Sequence, residues 1–207
     1  MYAILSAQLC LTGLAITAVQ VNPALHQFVH GQGILAFSLF LISAAIEMVL
    51  ICQRDLARQV PTNYALLAVF TMCQAFYFSF VTTFYPADNV LAAAGLTAGM
   101  TCGITAYAYN TKTDFTIMGS LFVTLSLGLI GLVLISAFMS FVSWWHPFLC
   151  VLLVVAYGLY LIYDTQLIAG GHEYSLTYDE YIVGAMLIYV DIMMLFIELL
   201  RLLGDKR

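Results

Sequence analysis

Apolar runs of about twenty residues, separated by short polar punctuation, organise this chain from end to end. They cover residues 2–21, 33–52, 63–84, 90–109, 115–141, 147–168 and 181–203. Each is long enough to cross the ~30 Å hydrocarbon core of a bilayer as a helix. Asn22-Pro23 stops the first run, and the connector that follows holds His26 and His30, four apart and so on one helix face. Two imidazoles without a third ligand nearby read better as the edge of a polar loop than as a metal site. The pattern predicts an all-α integral membrane protein, a single polytopic domain over residues 1–207. We expect a seven-helix bundle, with six spans plus a re-entrant C-terminal helix as the alternative.

Composition agrees with the pattern. The chain is 63% hydrophobic and 8% charged, with mean hydropathy +1.00, too apolar to solvate as a soluble domain of this length. Six Lys and Arg scattered along 207 residues make no basic footprint, which excludes nucleic acid as a partner. Cys10, Cys52, Cys73, Cys102 and Cys150 lie in or at the edge of apolar runs, without a C-x-x-C pair, and read as buried or lipid-facing thiols. Arg54 and Arg58 follow the second run, Lys112 the fourth, and Arg201, Lys206 and Arg207 close the chain. With a cytoplasmic N-terminus the first six spans obey the positive-inside rule, and only the last segment departs from it.

Within the fourth run Gly95, Gly99 and Gly103 recur every four residues. Small residues at that spacing let helix backbones approach closely, so this run is expected as a central contact helix. Trp144, Trp145, His146 and Pro147 precede the sixth run, an aromatic anchor at the membrane interface.

The chemistry gathers in the last fifth of the chain. Asp164 and Asp191 each sit well inside an apolar run, where a carboxylate costs on the order of 3 kcal/mol and persists only if paired, protonated, wetted or useful. Asp191 and Glu198 are seven apart, on one face of the last helix, so that helix is expected to turn this face inward and to lie centrally in the bundle. Between the sixth and seventh runs, Gly170-Gly171 can end one helix, and Thr177 to Glu180 matches a capping box that starts the next near Tyr178. Asp164 and Asp191 then lie at different depths in a plain hairpin, and they meet only if the loop dips or the helices slide. Glu47, near the end of the second run, is expected to snorkel to the interface or pair with a polar group, with a part in an ion path as the alternative.

The stretches Ile162-Tyr-Asp164-Thr-Gln166, Tyr174-Ser-Leu-Thr-Tyr-Asp-Glu180-Tyr181, Leu187-Ile-Tyr-Val-Asp191-Ile192 and Leu200-Arg-Leu-Leu-Gly204 together resemble the C-terminal signature of the transmembrane Bax inhibitor motif family, in particular its Lifeguard branch. Tyr2 to Gln8, Arg58 to Asn63 and Thr113-Asp114-Phe115 extend the likeness over nearly the whole chain. The resemblance implies seven helices with the last enclosed by the other six, and a pH-sensitive calcium leak across an intracellular or bacterial membrane. It places the family's paired aspartates at Asp164 and Asp191, as ion pathway, pH sensor and Ca²⁺ ligands. It places the closing arginine at Arg58, with Arg54 as runner-up. Glu198 stands where the family has an uncharged residue and, like Glu47, becomes a possible further pathway carboxylate. The chain also starts almost at its first span, without the polar, proline-rich leader of the Lifeguard branch, so regulation through such a leader is expected to be absent.

Read from the residues alone, two carboxylates a few Å apart in a low-dielectric site cannot both ionise readily and titrate as a coupled pair. Ionised, they attract a divalent cation, and calcium accepts carboxylate, carbonyl and water oxygens. Taken together with the resemblance, this chemistry leads to the expectation of a calcium leak or calcium-homeostasis and cell-death regulator, with no resident cofactor, whose partners are the lipid bilayer, Ca²⁺, protons and other membrane proteins. The expected membrane is that of the endoplasmic reticulum or Golgi, with the mitochondrial inner membrane as a further option. The alternative is a non-conducting interaction protein or accessory subunit in which the carboxylates only hold helices together. An enzyme is not expected: Tyr163-Asp164 resembles the first half of an intramembrane aspartyl protease, but Ile188-Tyr189-Val190 precede Asp191 where such enzymes need G-x-G-D.

Overall fold

The computed structural model describes residues 1–136, 144–169 and 180–204. Seven helices in it are long and apolar enough to cross a membrane: α1 (Tyr2–Val21), α3 (Gly33–Cys52), α5 (Thr62–Thr82), α6 (Ala87–Asn110), α7 (Gly119–Ser136, entered through a 3₁₀ turn at Thr116–Met118), α8 (Trp145–Ala169) and α9 (Tyr181–Leu203). No strand occurs among the described residues. Helices are the form this composition must take in lipid, because each satisfies its own backbone hydrogen bonds where no water can. The expected starts and ends hold to within a few residues, apart from the end of the fifth run at residue 141, which lies outside the described residues. Gly170, Gly171 and Thr177 to Asp179, the expected helix stop and the start of the capping box, lie outside the described residues, as do Lys206 and Arg207.

Two connectors contain helices that hydropathy does not register. The first, expected as a loop, is α2 (Pro23–His30). Asn22 Oδ1 accepts from the backbone N–H groups of Ala24 and Leu25 at 3.0 and 3.3 Å, and Pro23 opens the helix where its missing N–H costs nothing. The second is the single turn α4 (Arg54–Arg58). Fully buried Asn63 donates its amide to Ala57 O at 3.0 Å, so one side chain satisfies a carbonyl that the end of the turn leaves open.

The helices differ sharply in enclosure. In α9, 83% of the most apolar stretch is buried inside the protein, against 11–50% in the other six. Large apolar side chains such as Ile34, Leu91, Leu14 and Leu127 stand exposed on α3, α6, α1 and α7, as lipid-facing surfaces do. The inward placement expected of the last helix follows from its chemistry, since Asp191 and Glu198 cannot face hydrocarbon cheaply.

The described residues form two compact units. The first holds residues 1–90 and 180–189. Here α1 and α3 both pack on α5, and a polar layer crosses the packing: Gln8 Nε2 donates to Thr71 Oγ1 at 2.9 Å, and Thr12 Oγ1 meets Tyr189 Oη at 2.8 Å. The Tyr189 ring stands edge-on to Phe70, centroids 5.9 Å apart. The second unit holds the described residues of 91–176 and 190–204. Its core joins α7 and α8 through Leu129, Leu149, Leu153 and Ala156.

The glycines of α6 overturn one expectation. A Cβ added at Gly95, Gly99 or Gly103 would meet nothing within 4 Å, and all three are exposed. A small-residue stripe permits close approach but does not create it, and this one faces outward. Close approach to α6 occurs instead at Gly158 of α8, where a Cβ would lie 3.4 Å from Ile104 Cδ1.

Candidate functional site

In the second unit α8 and α9 bring the side chains of Asp164 and Asp191 together, close enough to interact directly. Both are buried, at 7% and 6% exposure. Two carboxyls brought this close can share a hydrogen bond only when one of them carries a proton, because an ionised carboxylate only accepts. Asp164 lies five residues before the end of α8 and Asp191 ten residues after the start of α9, depths of about 7 and 15 Å at 1.5 Å per residue. The pair therefore forms across helices displaced from a plain hairpin register.

Gln166, two residues past Asp164 and fully buried, fixes this end of α8. Its amide donates to Thr113 O at 2.9 Å and Ala108 O at 3.3 Å, and its Oε1 accepts from the Phe115 N–H at 2.8 Å. One side chain thus ties the chain between α6 and α7 to the helix that carries Asp164. Asp114, in that connector, accepts from the N–H and hydroxyl of Thr116 at 2.9 and 2.6 Å and starts the 3₁₀ turn. Tyr160, one turn before Asp164, donates to Phe122 O at 2.7 Å and fixes α8 against α7.

Glu198 is 4% exposed and accepts from Arg201 Nη1 at 2.8 Å through Oε1. Cys150, one of two buried thiols, lies beside the same carboxylate. Glu47 is half-buried on α3 in the first unit. Among the described residues no group of three or more His, Cys, Asp and Glu side chains could hold a metal ion, so a calcium ion at the aspartate pair would draw the rest of its oxygens from water or carbonyls. His26 and His30 are stacked, centroids 6.1 Å apart. His30 Nδ1 is hydrogen-bonded to Thr83 Oγ1 at 3.0 Å, which ties α2 to the end of α5.

Arg58 and Arg54 meet a partner that the sequence reading missed. In the first unit Arg58 Nη2 donates to Glu180 Oε1 at 3.1 Å, and Arg54 Nη1 lies 3.4 Å from the same oxygen. Glu180 is 2% exposed, and the sequence pattern assigns it only a capping part. The available signal was topological: the connector with both arginines and the one before the last helix fall on the same side of the membrane when the first six spans all cross.

Comparison with known proteins places this architecture. Over residues 1–207 the chain matches the family Bax1-I, described as Inhibitor of apoptosis-promoting Bax1. It is 30% identical to Protein lifeguard 3 of Homo sapiens, an alignment that covers 99% of this chain and 67% of that protein. It is 31% identical to Protein lifeguard 4 of Mus musculus, covering 98% and 82%, and 32% identical to the BI1-like protein of Arabidopsis thaliana, covering 99% and 79%. A family match over the whole length and seven apolar helices lead to one conclusion: this chain belongs to the Bax inhibitor family and is an integral membrane protein.

Proposed function

We propose that the protein is a pH-sensitive calcium leak of an intracellular membrane, endoplasmic reticulum or Golgi, that serves calcium homeostasis and cell-death regulation. The observation that carries this reading is the juxtaposition of two buried carboxyls, Asp164 and Asp191, inside an apolar helix bundle. Paired acids in such a site exchange a proton for a cation. Protonated, the pair is close to neutral and offers a divalent ion little; deprotonated, it presents two negative charges that repel each other and attract Ca²⁺. Conduction should therefore rise with pH. The gating part belongs to Arg58, with Arg54 behind it. Both hold Glu180 at the entry of α9, so the charge state there bears on the helix that carries Asp191.

The test is Ca²⁺ uptake into proteoliposomes at pH values between about 6 and 8, the range in which a coupled buried pair can titrate. Native protein should conduct more at the higher pH, and Asp164→Asn and Asp191→Asn should lose that dependence. Uptake equal to that of empty liposomes would reject the leak, and an unchanged pH profile in both variants would reject the aspartate pair as its sensor. Stoichiometric co-purification with a membrane complex in place of flux would support the non-conducting partner.

A further inference from the structure

The aspartate pair is the end of a longer polar seam. On α8, Cys150, Tyr157 and Asp164 follow one another at intervals of seven, and on α9 so do Asp191 and Glu198. Residues seven apart share a helix face. Cys150 lies beside Glu198, Asp164 lies beside Asp191, and the Tyr157 phenol lies within electrostatic range of both Glu198 and Asp191. The seam therefore runs as Asp164 with Asp191, then Tyr157, then Glu198 with Cys150, and ends at Arg201. From Cys150 to Asp164 it covers fourteen residues of α8, about 21 Å of a hydrocarbon layer about 30 Å thick.

Glu198 is held firmly through one oxygen. Oε1 is taken by Arg201, while Oε2 is buried with no nitrogen or oxygen donor on it, and the weakly donating Cys150 thiol lies beside the carboxylate. A buried acceptor left open is costly, and a carboxylate in an apolar helix is more so. An acidic side chain that served only to hold Arg201 could do so from the membrane surface.

We propose that Glu198, with the Tyr157 phenol oxygen, is a second cation station, one heptad from the aspartate pair, through which a divalent ion passes between that pair and the Arg201 end of α9. The inference rests on the calcium-leak reading for the identity of the ion, but not for the existence of the station. Arg201 is the counter-charge that the ion replaces at Oε1, and its side chain, 38% exposed, has room to leave. Transit, and not tight binding, fits the donor set. One carboxylate and one phenol are too few oxygens for a calcium cage, and a conducting site must release what it binds. The titratable groups facing Glu198 are Arg201 on its own helix and Cys150 and Tyr157 on α8; His146 Nδ1, one turn before Cys150, lies 3.7 Å from the thiol.

Cys150 makes the station measurable without any assumption about flux. In protein that keeps Cys150 and has Cys10, Cys52, Cys73 and Cys102 replaced by serine, we would compare modification by a cationic and a neutral methanethiosulfonate of similar size, at one pH, in proteoliposomes. A cation station predicts a preference for the cationic reagent of at least about tenfold, because a carboxylate at the end of a narrow low-dielectric seam focuses its field. Added Ca²⁺ should slow the cationic reagent selectively. Glu198→Gln should bring the ratio close to one while the neutral reagent reacts as before. Equal rates for the two reagents in the native background, or no modification under conditions in which Ca²⁺ flux is measured, would overturn the station and leave the leak intact. A cation preference dependent on Glu198 in protein that conducts no Ca²⁺ would uphold the station and reject the leak.

Discussion

Glu180 and Arg58, 122 positions apart in the chain, meet through a 3.1 Å contact in which the carboxylate is buried and the guanidinium side chain is 41% exposed. The asymmetry predicts unequal effects of mutation. Arg54 is 69% exposed and sits farther away, at 3.4 Å, so Arg54→Ala should cost less than about 1 kcal/mol, as exposed ion pairs do. Arg58→Ala should cost more, and removal of both arginines more still, because the buried carboxylate then loses both of these cations. Glu180→Gln in the double-alanine background should restore part of the loss. Thermal unfolding in detergent would order the four proteins.

A second asymmetry lies between Thr12 and Tyr189. Thr12 Oγ1 already donates to Gln8 O at 2.9 Å, so in the 2.8 Å contact between the two hydroxyls Tyr189 is the donor. Tyr189→Phe removes that donor and leaves Thr12 with its own bond made, a loss of about 0.5–1.5 kcal/mol. Thr12→Val strands a buried phenol hydroxyl and should cost more, about 1–3 kcal/mol. The double variant should be less damaged than the sum of the singles. Equal single losses would show that the tyrosine is not the donor.

Gln166 satisfies three backbone groups with one side chain. Gln166→Leu keeps the volume and removes all three bonds. The Phe115 amide should then lose protection in hydrogen exchange, while amides in the middle of α5, in the other unit, keep theirs. A protein that exchanges faster everywhere would mean that the network supports the whole fold.

The open side of α6 predicts a substitution that helps. Gly99→Ala meets no atom, and alanine gains about 0.5–1 kcal/mol over glycine inside a helix. The variant should melt at the same or a higher temperature in detergent. A clear loss would place a partner against that face.

Most of the architecture was legible because lipid leaves the backbone few choices. Seven apolar runs with short polar breaks demanded seven helices, and α1, α3 and α9 have the expected bounds. The helices α2 and α4 escaped because they are too short to carry a hydropathy signal; only Asn22-Pro23 hinted at the first. The glycine stripe of α6 misled because spacing reports what a helix face permits, not what packs there. Asp164 and Asp191 stood out because a carboxylate in an apolar run is rare and costly. That they touch is a tertiary fact, set by the displacement of α8 and α9 from hairpin register. The partner of Arg58 and Arg54 was equally hidden, since nothing local links residue 58 to residue 180.

Asp164 and Asp191 are proposed to hold a proton that calcium displaces. Difference infrared spectroscopy of the reconstituted protein, following the carboxylic-acid C=O stretch, would detect that exchange. Native protein should show a protonated-carboxyl band that fades as pH rises and, at fixed pH, fades again when Ca²⁺ is added; Asp164→Asn and Asp191→Asn should lack the calcium response. A carboxyl band that ignores Ca²⁺ in the native protein, or that responds equally in both variants, would contradict the account.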